Sequence, residues 1–182
     1  MLETLITNKT RLKLLLKFFL NSNSSSYLRN LETEFDESSN AIRIELNRFE
    51  EAGLLVSNSE QNRKIFRANL KHPLFPDIHN ILLKYIGFDQ IMDKFVHKLA
   101  GINKAYIIGD FARGKDAKKI ELILIGTEFD KIYLDHLIDK VEGLIKKKVS
   151  CLILNEQEEY QYLKQYPEAF VLWNSDYKKV LP

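Results

Sequence analysis

Near residue 101 the apolar residues of this 182-residue chain change their period. Upstream they recur every three or four positions, as in Leu12, Leu15, Leu16 and Phe19, or Ile42, Leu46 and Phe49, the spacing of one helix face. Downstream they gather into short runs, "KAYIIGD", "KIELILIG", "KVSCLIL" and "AFVLWN", bounded by glycine or charge, as buried strands do. A pattern written for one period does not settle into the other. The chain is therefore expected to be an α/β protein of two domains: a mostly helical N-terminal part and a C-terminal part built on a small mixed sheet with covering helices.

Composition narrows the function classes. A hydrophobic fraction of 45% supplies real cores. The formal net charge is only +2, so no global basic field announces nucleic acid, and any such site must come from local patterning. The one cysteine, Cys151, sits among apolar residues. That excludes an intrachain disulfide and a cysteine-based zinc site, and it fits a reducing, cytoplasmic setting. His72 and His79 flank two prolines with no partner at ligand spacing, so they read as structural and no metal or cofactor is expected. No apolar run approaches the ~20 residues of a membrane span. The opening "MLETLITNKTRLKLLLKFFL" carries charges inside its apolar part and reads as an amphipathic helix, not a signal peptide.

In the N-terminal part, Asn8 or Thr10 can cap a first helix, with Arg11, Lys13 and Lys17 off its apolar face. "NSNSSS" reads as a polar loop whose last serines cap a second helix, "SYLRNLETEF". After the short turn "DESSN" a third helix, "NAIRIELNRFEEAG", ends at Gly53, the expected left-handed terminator. "LLVSNSEQNRKIFRANL" then reads as a hairpin with a polar tip from Ser57 to Asn62. "LKHPLFPDI" breaks helical continuity, and the domain junction is placed there. The expected division is 1–72, a helical linker 73–100 formed by "LFPDIHNILLKYIG" and "FDQIMDKFVHKLAG", and 101–182.

Three helices followed by a hairpin, with only a few residues between the second and third helix, is the order of a winged helix-turn-helix. The string "NAIRIELNRFEEAGLL" resembles the recognition helix and wing entry of ArsR- and MarR-type regulators. The resemblance implies that the third helix enters the major groove and the wing lies over neighbouring phosphates. The residues off the apolar stripe are then the DNA candidates: Ser38, Ser39, Asn40, Arg43, Asn47 and Arg48 on the helix, and Asn62, Arg63, Lys64 and Arg67 on the wing. Arginine can grip guanine with two hydrogen bonds and asparagine can do the same with adenine, while serine hydroxyls suit phosphate. Glu37, Glu45, Glu50 and Glu51 oppose a strong non-specific field, so two half-sites and a homodimer are expected. Interface material is offered by the first helix, by Leu74 to Ala100 and by "FVLWNSDYKKVL".

In the C-terminal part, "AYIIGDFARGKDAKKIELILIG" resembles the minimal bacterial nucleotidyltransferases of the DNA polymerase beta superfamily. That family has a strand, a G-S-x-A-R-G turn and a D-x-D on the next strand. Gly109, Phe111, Ala112, Arg113 and Gly114 match the turn. The departures fall on the chemistry: Asp110 stands at the serine position, Lys119 and Glu121 at the two aspartates, and Ser150 at a third carboxylate. Nucleotidyl transfer in this family needs two metal ions held between carboxylates and triphosphate. An ammonium ion only donates hydrogen bonds and repels a cation. Gly109, Asp110, Arg113, Gly114, Lys119 and Glu121 are thus expected to form a vestigial nucleotide site with no catalytic residue. The expected function is a cytoplasmic transcriptional regulator that binds double-stranded DNA, its pseudoenzyme domain serving dimerisation, a protein partner or a nucleotide effector. A divergent, active nucleotidyltransferase and an antitoxin-like interaction protein are the alternatives.

Overall fold

The computed structural model describes residues 2–88, 91, 101–115, 117–127 and 130–175. The chain divides into two compact units, Met1–Tyr85 with Gly114–Asp116, and Ile86–Arg113 with Ala117–Pro182. The expected helix from Phe88 to Gly101 and the end of "FVLWNSDYKKVL" fall largely outside the described residues. No helix among those described is long and apolar enough to cross a membrane.

The first unit starts with a short helix, α1 (Leu2–Leu5), and then α2 (Lys9–Leu15). Asn8 caps α2 by accepting the Arg11 N–H at 3.1 Å. The chain continues as a π-helical turn, Leu16–Leu20, with Leu16, Phe18, Phe19 and Leu20 all buried. Ser25 and Ser26 do not cap the next helix, as the sequence suggested. They belong to a strand, β1 (Ser25–Tyr27), paired antiparallel with a later one. Helices α3 (Leu28–Phe35) and α4 (Ser39–Glu51) follow, separated by Asp36 in the left-handed region at φ 53°. Ser38 caps α4, and Gly53 ends the segment at φ +72°. Strands β2 (Leu55–Glu60) and β3 (Arg63–Ala68) form the hairpin, and the sheet order is β1-β3-β2, all antiparallel.

The hairpin tip is shorter than expected. Ser57 to Glu60 pair in register with Phe66 to Arg63, and only Gln61 and Asn62 turn. Both have positive φ, 46° and 62°, the backbone of a two-residue turn whose twist matches that of the strands. The core of this unit gathers on Phe19. Its ring meets Phe49 edge-on at 6.4 Å and Phe75 of α5 (Phe75–Tyr85) at 5.6 Å. His79 stacks on Phe75, and its Nδ1–H donates to the Phe19 carbonyl at 2.7 Å. Burial holds the imidazole pKa below 6.5 although that hydrogen bond pulls the other way, so the ring is a neutral core group.

The second unit is an α/β layer. Strands β4 (Ile102–Ile108), β5 (Lys119–Gly126), β6 (Lys148–Leu154) and β7 (Phe170–Asn174) line up in the order β6-β5-β4-β7. β4 pairs antiparallel with β5 and β7, and β5 pairs parallel with β6. The parallel pair needs a crossover, which is α7 (Lys131–Ile145), capped by Asp130 and burying Leu134, Leu137 and Val141. Between β4 and β5 lies a four-residue helix, α6 (Gly109–Ala112). A capping box at Asn155 and Glu158 starts α8 (Glu156–Leu163). Tyr162 and Leu163 of α8 lie against the cluster of Tyr106, Ile108, Ile123, Ile125 and Leu154. Along β5, Ile120 and the run Leu122 to Ile125 are buried, as a central strand covered on both faces should be.

Candidate functional site

Helix α4 buries Ile42, Leu46 and Phe49, the expected stripe, and Glu45 beside them. One turn apart on its open side stand Arg43 and Asn47. They line a groove of about 470 Å³ that reaches across to Arg63 and Lys64 of β3. Arg29 and Glu32 of α3 complete its polar wall, while Leu28, Leu46 and Phe66 supply an apolar floor. Strand pairing explains the convergence. Tyr27 lies opposite Ile65, which sets its ring beside Arg63, and the guanidinium lies 4.9 Å from the ring centroid. Lys64 pairs with Glu50 at 2.6 Å and lies 5.1 Å from the Phe66 ring centroid. The Lys64 and Ser57 hydrogen bonds hold the Glu50 carboxyl below its ordinary pKa.

Four of the ten residues proposed from sequence thus share one groove: Arg43, Asn47, Arg63 and Lys64. Asn40 is exposed at the start of α4, and Asn62 is exposed in the hairpin turn. The others are placed differently. Ser38 spends its hydroxyl on the cap, accepting from the Ala41 N–H at 3.3 Å, and the Ser39 hydroxyl donates to Glu32. Arg48 is drawn back to Glu45 at 2.5 Å. Arg67 lines a second groove, with Ser22 to Ser25, Val56 and Lys71. Arg29 was not anticipated. Its signal was its place in the first turn of the second helix, and a lone surface arginine gave no reason to single it out.

Glu45 was missed as well. Only 1% of its side chain is exposed. It accepts from Arg11 Nε at 2.7 Å, from a second Arg11 nitrogen at 3.3 Å, from Asn8 at 3.2 Å and from Arg48. Burial pushes its carboxyl up, but the Arg11 and Arg48 hydrogen bonds outweigh that and hold the pKa below its ordinary value. The carboxylate therefore ties α4 to the start of α2.

In the second unit the glycine turn has a steric reason. Gly109 adopts φ +70°, and a Cβ there would lie 2.1 Å from Glu121 Oε2. Ile108 and Glu121 are register partners, which brings the carboxylate under the turn. Across the parallel pair, Glu121 faces Ser150 and Lys119 faces Lys148. The Lys119 ammonium lies 3.1 Å from Glu121, and Lys148 pairs with Glu142 at 2.6 Å. Asp110 is exposed, 4.0 Å from Arg113, whose guanidinium reaches Glu168 at 2.9 Å. Gly114, the next residue and part of the first unit, has φ +81°. Among the described residues no group of three His, Cys, Asp or Glu side chains is arranged to hold a metal ion. Cys151 lies on β6, where burial pushes its thiol pKa up to about 12.

No protein-family model matches the chain, and no curated protein matches it in sequence. Among solved structures, the chain is similar to a mutant form of the MntA–HpeT toxin–antitoxin complex, at 16% identity over 48% of this chain and 73% of that one, with a TM-score of 0.39. A tri-AMPylated HEPN toxin in complex with its MNT antitoxin, from Shewanella oneidensis, matches at 14% identity over 48% and 70%, with a TM-score of 0.36. A protein of Sulfolobus solfataricus assigned as a nucleotidyltransferase matches at 14% identity over 63% of this chain and all of that one, with a TM-score of 0.39.

Proposed function

We propose that the chain is a cytoplasmic DNA-binding regulator. Its first unit acts as a winged helix that reads duplex DNA through α4. Its second unit keeps a nucleotidyltransferase-like layout without catalysis and serves homodimerisation, a protein partner or ligand sensing. One observation carries the reading: Arg43 and Asn47, on the open face of a capped 13-residue helix, border a groove shared with Arg29 and the hairpin cations Arg63 and Lys64. The element order, helix, strand, two helices and hairpin, supports it. In this reading Arg43 and Asn47 meet base edges, and Arg29, Arg63 and Lys64 meet phosphates. Arg48, held by Glu45, braces the helix instead of reading DNA.

The alternative is a divergent, active nucleotidyltransferase. It would load two metal ions onto Glu121, which already carries the Lys119 ammonium, with Ser150 opposite.

Selection of genomic fragments followed by fluorescence anisotropy tests the reading. Arg43→Ala should cost about 1–3 kcal/mol and relax preference at one base position. Arg63→Ala should weaken all sequences alike and lower the salt slope by about one. Unchanged DNA affinity in the double variant Arg43→Ala/Arg63→Ala would overturn the assignment.

A further inference from the structure

β6 is an open edge of the second sheet. The order β6-β5-β4-β7 pairs it on one side, and no described strand lies on the other. Its backbone fixes which groups stay free. The Lys148 N–H donates to the Lys118 carbonyl at 2.8 Å, so Lys148 faces β5. Alternate residues of a strand bond to the same neighbour. Ser150 and Leu152 therefore face β5 too, and Val149, Cys151 and Ile153 turn their N–H and C=O groups outward. The Val149 N–H is already occupied by Glu142 at 2.7 Å. Cys151 and Ile153 keep both groups open, on a stretch whose side chains are only half-buried. An exposed edge of this kind templates the addition of another strand. The opposite edge, β7, is blunted: it has five residues, and its register slips at Ala105 and Tyr106, the mark of a bulge. β6 has seven residues in unbroken register.

The edge is complementary to itself. A second copy related by a two-fold axis would add its β6 antiparallel. Residues opposite each other then both face the partner strand or both face away. With the axis at Leu152, Cys151 and Ile153 of one copy exchange N–H···O bonds with Ile153 and Cys151 of the other. The same register sets Lys148, whose side chain is 79% exposed, level with the exposed Glu156 of the second copy. Its ammonium can hold Glu142 and a second carboxylate, having three donors. An axis nearer the start of β6 would use Val149, whose N–H is occupied. One further along would use Asn155, whose N–H already donates to Glu158 at 2.9 Å. Free backbone groups and charge thus select one register.

We infer that β6 pairs with β6 of a second copy of this chain, joining the two sheets across a two-fold axis at Leu152. The inference rests on the reading that the second unit serves homodimerisation, and it names the surface that does so.

Light scattering after size exclusion, on the full chain over a range of concentrations, reads the mass. The wild type should be a dimer. Cys151→Pro removes an outward N–H and no bond to β5, so it should give a monomer with an unchanged circular dichroism spectrum. Glu156→Lys should weaken the dimer about 10-fold, because both symmetric pairs turn from attraction to repulsion, and adding Lys148→Glu should restore it. In a Cys151→Ser background, Leu152→Cys should cross-link the two copies under mild oxidation, since the pair on the axis has Cα atoms about 4.5 Å apart. The cross-link decides alone if Cys151→Pro does not fold. A dimer that persists in folded Cys151→Pro, or one that cross-links through wild-type Cys151 and not through Leu152→Cys, overturns the inference and leaves homodimerisation standing. A wild type that is monomeric throughout overturns the homodimer reading and the inference with it.

Discussion

Replacing Glu45 by Gln should loosen the helix proposed to read DNA without touching any groove residue. The carboxylate is buried and accepts four hydrogen bonds from Arg11, Asn8 and Arg48. Stripping one partner from a fully buried pair costs about 3–5 kcal/mol when it strands the other charge. Here the stranded cations are 40% and 57% exposed, so water takes up part of what they lose. Glutamine also keeps one acceptor. The expected loss is about 2 kcal/mol at pH 7, in line with charged hydrogen bonds worth roughly 1.5–3 kcal/mol each. For a unit of this size that corresponds to a melting point lower by about 8–16 °C. The pH dependence gives a second reading. Glu45 has a folded pKa below its ordinary 4.5, so its contribution is complete above 4.5 and disappears as pH falls through the folded value. The gap between wild type and Glu45→Gln should therefore be full at pH 7 and close under acid. Urea melts by circular dichroism at several pH values measure it, and amide exchange over Ser39–Glu51 shows whether α4 opens first. A gap under about 0.5 kcal/mol at pH 7, or one equally large below the folded pKa, would refute the reasoning, since neither follows from a buried ionised hub.

Two further substitutions probe the backbone. Gly109→Ala should destabilise by about 1–2 kcal/mol for its left-handed backbone alone. It should cost more beyond that because the new methyl displaces Glu121, so in a Glu121→Ala background the cost should shrink; an equal cost in both backgrounds in a double-mutant cycle argues against the packing. In the hairpin, Gln61→Asn with Asn62→Gly should stabilise by about 1 kcal/mol, because Asn-Gly suits two consecutive positive φ values better than Gln-Asn. A lower melting point for that variant shows that the turn has another form.

Periodicity carried most of the fold. The four apolar runs after residue 101 are the four strands, and the caps at Asn8, Ser38, Asp130 and Asn155 stand where short polar side chains precede apolar spacing. What escaped was structure created by distant partners. Ser25 to Tyr27 has no alternation of its own and becomes a strand because β3 presents Arg67, Phe66 and Ile65 to it. Ser57 to Glu60 are as polar as a loop, yet pairing with β3 extends the strand to Glu60. Glu45 looks solvent-facing by composition, and its burial is made tolerable by Arg11, 34 positions earlier, together with Asn8 and Arg48. The groove was half legible. Arg43, Asn47, Arg63 and Lys64 were marked by charge and polarity off the apolar stripe, but Arg29 and the floor depend on how α3 crosses α4.

The same distinction bears on the glycine turn of the second unit. A glycine can be demanded by the backbone and by what lies beneath it. Gly109 is required by its left-handed φ and by the carboxylate beneath it. Glu121 in turn has an electrostatic task. Lys119 and Lys148 lie directly opposite each other on parallel strands, and like charges so placed repel. Each is answered by its own carboxylate, Glu121 for Lys119 and Glu142 for Lys148. With a lysine at 119, an acid at 121 balances the charge on this end of the sheet. The left-handed Gly109 and the position of Glu121 are therefore accounted for by packing and charge balance.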